Sequence, residues 1–183
     1  SELKDKAGKL IAKVTGAEAG YVTSGAAAGI AIATAACITG TDMAKMRRLP
    51  DTEGMKNEVI VQQAHMNFYT HMIRMAGAKL VVVGNIGFLP WQYGWTTPEQ
   101  IEGSITEKTA AIFHFASHIS PADAVPLKDV MPIAKKHNLP VIVDAAYDPD
   151  STRYISMGAD LVIFSGGKWF RGPGCSGIIC GKK

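Results

Sequence analysis

Five short apolar runs, spaced along the chain and separated by helical patterns, limit the fold more than any other feature of this sequence. They are residues 58–62, 79–83, 110–115, 141–143 and 161–164. Each is largely apolar with little alternation, the pattern of a strand buried on both faces. Between them lie helical stretches: 67–76, closed by Gly77; one that starts with Thr97 as N-cap and Pro98 at N1; and 127–137, bounded by Asn138 and Pro140. Ahead of them, 3–15 carries Leu3, Ala7, Leu10, Ile11 and Val14 on one stripe, and 19–22 reads as a brief strand. Strand alternating with helix implies an α/β domain, a mainly parallel sheet with helices on both faces. In such sheets ligands gather at the carboxyl ends of the strands.

The 183 residues suit one domain with a sizeable core, and 47% hydrophobic against 19% charged content excludes a disordered chain. The net charge of +3 is spread out. Its densest spots, Arg47-Arg48, Lys135-Lys136 and Lys182-Lys183, are isolated pairs, so no nucleic-acid partner (tRNA included) is expected. Cys37, Cys175 and Cys180 are odd in number and lack metal-ligand spacing, which points to reduced thiols, a cytoplasmic location and no metal. No signal peptide opens the chain, and the alanine-rich run 25–38 is too short and too weakly apolar to span a bilayer, so no membrane partner is expected. Both ends read as cut. The chain begins inside a charged helix and stops at Gly181-Lys182-Lys183, straight after the apolar run 176–180, as a fragment of a larger domain would.

Several polar residues fall where those strands end. Ser165-Gly166-Gly167-Lys168 sets a lysine directly after a buried strand, in a turn too glycine-rich to be a helix. Partial desolvation there favours the neutral amine, the form of lysine that makes Schiff bases. Thr23-Ser24-Gly25-Ala26-Ala27-Ala28-Gly29 leads into the small-residue run 30–38. Small side chains in a strand-to-helix turn let a ligand reach the backbone, and the helix N-terminus favours an anion. Ser24 adds a hydroxyl donor. The turn matches neither the P-loop nor G-x-G-x-x-G. His65 follows 58–62, Ser117 follows 110–115, and Asp144 ends 141–143, where a lone charge would be costly without a cationic partner. Singly, each has a plainer account: a solvated loop lysine, a tightly packed alanine helix, a structural histidine, a turn aspartate. Their shared edge makes the case. The long polar connection 39–57 is expected to be a functional loop. The loop with Trp91, Tyr93 and Trp95 is expected to be aromatic surface covered by a second copy, making a homo-oligomer.

An amine, an anion cradle, a carboxylate and a flat side chain are the parts needed to hold pyridoxal 5′-phosphate. The order Thr23-Ser24-Gly25-Ala26-Ala27, His65, Asp144-Ala145-Ala146, Ser165-Gly166-Gly167-Lys168 resembles the large domain of fold-type I pyridoxal-phosphate enzymes. The segment 117–128, with Pro126-Leu127-Lys128, is similar to the cysteine-desulfurase side of that superfamily. Residues 16–29, Leu49-Pro50-Asp51-Thr52, Gly158-Ala159-Asp160-Leu161-Val162 and Arg171-Gly172-Pro173 resemble more closely the branch of selenocysteine synthase and D-glucosaminate-6-phosphate ammonia-lyase. The resemblance implies that Lys168 holds the cofactor as a Schiff base and shuttles a proton. It implies that Asp144 faces the pyridinium nitrogen, Ala146 packs against the ring and His65 stacks on its other face. Ser24, Gly25, Ala26 and Ser165 would hold the phosphate. The implied activity is an ammonia-lyase acting on an amino acid or amino sugar by α-proton abstraction and β-elimination. The alternatives are selenium-transferase, racemase or aldolase chemistry on the same cofactor, or a cofactor-free α/β binding fragment. Two departures stand out: the family continues into a small C-terminal domain, and Trp169-Phe170 replaces a smaller, less aromatic pair.

Overall fold

The computed structural model describes residues 2–84, 95–116 and 124–183. Helix α1 (Glu2–Thr15) leads to β1 (Ala19–Thr23), α2 (Ala26–Thr39) and α3 (Met43–Arg48). Then come β2 (Glu58–Gln62), α4 (His71–Met75), β3 (Lys79–Val83), α5 (Pro98–Gly103), β4 (Thr109–Phe115) and α6 (Leu127–Lys136). The chain finishes with β5 (Val141–Asp144), α7 (Arg153–Ser156), β6 (Leu161–Ser165) and β7 (Gly177–Gly181). One seven-stranded sheet runs β1-β7-β6-β5-β4-β2-β3. Strands β3, β2, β4, β5 and β6 pair in parallel, as near-continuous apolar runs require, while β7 is antiparallel to both β6 and β1.

Because side chains alternate along a strand, each run feeds two cores. Val59, Val61, Phe113, Ile142 and Ile163 face one way, against Ile30 and Ala33 of α2 and Ile73 of α4. Ile60, Ile112, Val143, Val162 and Phe164 face the other, against Ile11 of α1, Ile101 of α5, Val130 of α6 and Tyr154 of α7. Each large aliphatic side chain so buried contributes about 1.5–3 kcal/mol. Helix α2 lies unusually close to the sheet. A Cβ on Gly29 would come within 2.7 Å of Ile163 Cγ2, so the small side chains of this helix are a packing requirement.

Two expectations change. The connection 39–57 carries α3, whose N-terminus is capped by the Asp42 carboxylate accepting from the amides of Ala44 and Lys45 at 2.9 and 3.2 Å. The rest of the connection is a clasp at the amino edge of the sheet. Thr52 Oγ1 donates to the Gly77 carbonyl at 2.7 Å, and Asn57 Nδ2 donates to Thr52 Oγ1 at 2.9 Å. It is therefore structural and stands away from the ligand edge. The helix expected over 67–76 divides into a 3-10 turn, Phe68–Thr70, and α4, because Asn67 caps the turn by accepting from Tyr69 N at 2.8 Å.

Candidate active site

The carboxyl edge of the sheet opens on a cavity of about 470 Å³. Gly25, Ala26 and Ala27 reach it from the β1–α2 turn, and Phe115 from the end of β4. Asp144, Ala146 and Tyr147 come from the end of β5, and Ser165 and Lys168 from β6 and its turn. Asn67, Phe68 and Tyr69 close the remaining side. Of the expected residues, the fold thus brings Gly25, Ala26, Asp144, Ala146, Ser165 and Lys168 to one cavity.

Asp144 is 1% exposed, and its Oδ1 accepts from Ala146 N at 3.1 Å. Burial pushes its carboxyl up to about 6, while the Ala146 amide and the Lys168 ammonium pull the other way. Lys168 Nζ sits 3.5 Å from the centroid of the Tyr147 ring and 5.5 Å from that of Tyr69. At the start of α2, Gly25 takes φ 154° and ψ 167°, and no side chain caps the helix. The first amides of an uncapped helix are free to bind an anion. The turn is held against β7, where a Cβ on Gly177 would come within 2.6 Å of the Gly25 carbonyl carbon and 2.8 Å of Ala26 N.

Two expected residues stand elsewhere. Ser24 is exposed and does not line the cavity, whose turn is supplied by the residues after it. His65 is 1% exposed and does not line it either. The 3-10 turn Gln63–His65 directs its imidazole toward β4, where Nδ1 accepts from Phe115 N at 3.4 Å. Its ring meets that of His114 edge-on, 4.5 Å between centroids, and His65 Nε2 and His114 Nδ1 have no hydrogen-bond partner among the described residues. Burial holds His65 down to about 4 and His114 to about 3, so both are neutral. The geometry therefore offers aromatic surface from Tyr69, Phe115 and Tyr147 rather than from His65. Ser117 lies outside the described residues, as do Trp91 and Tyr93.

A wider hollow, about 790 Å³, opens at the opposite edge between Lys128, Met131, Met157 and Lys182. The one carboxylate there, Asp160, is already committed to Val141 N at 2.8 Å and Lys182 Nζ at 2.6 Å. Among the described residues its lysines meet no uncommitted carboxylate there, so the smaller cavity is the stronger candidate.

The sequence model of the family described as Cys/Met metabolism PLP-dependent enzyme matches residues 4–183. The chain belongs to this family. Members are pyridoxal-phosphate-dependent enzymes, and the residues of the cavity fit that group. An amine, a buried carboxylate with one backbone partner and an uncapped helix N-terminus face one space large enough to hold it. The D-glucosaminate-6-phosphate ammonia lyase of Salmonella typhimurium is 41% identical over 186 residues, 99% of this chain and 48% of that protein. The 5′-C-glycyluridine monooxygenase-decarboxylase of a Streptomyces species is 38% identical over 188 residues, 99% of this chain and 45% of that protein. The solved structure of a D-glucosaminate-6-phosphate ammonia-lyase superposes with a TM-score of 0.91 at 40% identity, covering 100% of this chain and 48% of that one. The chain thus spans about half the length of the curated relatives it matches.

Proposed function

We propose that this chain is the cofactor-binding large domain of a pyridoxal-phosphate-dependent ammonia-lyase acting on an amino acid or amino sugar. The observation that carries the reading is the meeting of Lys168, Asp144 and the N-terminus of α2 on one cavity. The 41% identity to the Salmonella enzyme supports the reaction class. When bound, the cofactor supplies a sink for the electron pair left at the substrate α-carbon. Lys168 would hold the cofactor covalently through Nζ, and its free amine would take the α-proton. The Asp144 carboxylate would hold the ring nitrogen through a charge-assisted hydrogen bond. The amides of Ala26 and Ala27 and the hydroxyl of Ser165 would bind the phosphate, and Ala146 would pack against the ring. His65 acts from behind, fixing the end of β4 through the Phe115 amide.

The working protein is a homo-oligomer in this reading. Phe68, 96% exposed, and the exposed Tyr69 line the cavity, and a second copy would cover this apolar surface. Among the described residues, no helix is long and apolar enough to cross a membrane.

A second reading follows from the 38% identity to the Streptomyces protein: oxygen-dependent decarboxylation of an amino-acid group on a nucleoside. Full-length protein with pyridoxal phosphate, offered D-glucosaminate 6-phosphate, should release ammonia and a 2-keto product. Carbon dioxide release from 5′-C-glycyluridine with oxygen uptake, and no ammonia from the sugar acid, would decide for the second reading instead.

A further inference from the structure

Two rings flank the amine of Lys168. Its Nζ is 3.5 Å from the Tyr147 centroid and 5.5 Å from the Tyr69 centroid. An ammonium within about 6 Å of a tyrosine face is drawn to the negative face of the ring. Both rings stand on backbone that other bonds already hold. Before Tyr147, Ala146 N is tied to the Asp144 carboxylate; after it, Asp148 N donates to the Ala145 carbonyl at 3.0 Å. Tyr69 N donates to Asn67 Oδ1 at 2.8 Å, and Thr70 N to the Asn67 carbonyl at 3.2 Å. The backbone that carries both rings is held, so the long lysine side chain is the freer partner to adapt.

We propose that Tyr147, backed by Tyr69, is a positioning residue whose ring forms an ammonium site holding the uncoupled amine of Lys168 inside the cavity, beside Asp144. The role rests on the reading of Lys168 as the attachment residue. Without the rings, the four-carbon side chain would be free to leave through the open mouth of the cavity. With them, the amine waits at the wall where the cofactor arrives, and is withheld from other electrophiles meanwhile.

The test uses full-length protein freed of cofactor, with acetic anhydride as probe and peptide mass spectrometry as readout. The rate at Lys168 is measured against the other lysines of the same sample. Tyr147→Leu should speed acetylation of Lys168 by about tenfold and leave the other lysines unchanged. Tyr147→Phe keeps the ring and should stay within about twofold of the wild type. Tyr69→Leu, whose ring is farther away, should give a smaller rise. A leucine variant at position 147 that reacts at the wild-type rate overturns the proposal, as does a phenylalanine variant that behaves like leucine. Because no cofactor is present, failure here leaves attachment at Lys168 standing. Failure of that attachment would appear separately, as no pyridoxyl label on Lys168.

Discussion

Asp144 and Asp148 lie one short turn apart at the end of β5, both buried, and their surroundings are opposite. Asp148 is saturated. It accepts from Tyr154 Oη at 2.5 Å, from Arg153 Nη1 at 3.2 Å and from Asp150 N at 2.8 Å. Among the described residues Asp144 has one backbone amide and faces the cavity with the rest of its charge unmatched, save for Lys168 across the space. A carboxylate whose bonds are all made holds a loop in place, whereas one left short of partners is set to receive something. The difference separates framework from site within five residues, and it can be broken at either end.

The largest effect is expected at Asp144. Asp144→Asn keeps the shape and removes the charge, so cofactor should still attach to Lys168 while turnover falls by about a thousandfold. Ammonia release alongside borohydride labelling checks both halves, and near-normal turnover would make Asp144 a turn residue only. The next effect concerns pH. The folded carboxyl of Asp144 titrates at about 6 against an ordinary 3.8, so between those values the native state binds more protons than the unfolded chain. In cofactor-free protein this group's contribution to stability is therefore highest in acid and declines as pH rises through that window, by about 3 kcal/mol in total. Urea titrations of wild type and Asp144→Asn should diverge accordingly, and parallel curves would remove the claim.

Asp148 should behave the other way. Asp148→Asn leaves the buried Tyr154 hydroxyl without its strong acceptor and should cost about 2 kcal/mol, a fall in Tm of roughly 4–8 °C. An unchanged Tm would mean that the clamp does not hold the loop. The smallest effect belongs to Arg153, whose side chain is 56% exposed. Arg153→Ala should cost under about 1 kcal/mol, because an exposed ion pair contributes little.

The sequence makes the framework legible wherever burial writes a pattern. Strand β2 falls on its expected bounds because its apolar run is buried, and β3 does so too, although it is the edge strand and of its residues only Val83 is buried. The α5 start is equally plain, since Thr97 and Gln100 form a reciprocal capping box behind Pro98. Helix α3 went unseen because none of its residues is buried, so no apolar stripe marks it. The run 176–180 is legible as a strand and becomes β7, but its antiparallel direction is not: an apolar run does not state its direction, and pairing between β1 and β6 is a tertiary choice. At the site, strand ends predict which residues share an edge and not where each side chain points. Lys168 and Asp144 follow from the edge alone, while His65 shares it and turns toward β4. Tyr147 could have been noticed as an aromatic next to Asp144-Ala145-Ala146; nothing local tells that its ring sits under the lysine amine.

In the proposed function, the cavity at the carboxyl edge takes pyridoxal phosphate on Lys168. Full-length protein incubated with pyridoxal phosphate, reduced with borohydride and digested should carry the pyridoxyl mass on the peptide containing Lys168, and Lys168→Ala should carry none. A label on any other lysine, or protein that stays unlabelled with Lys168 intact, would contradict the account.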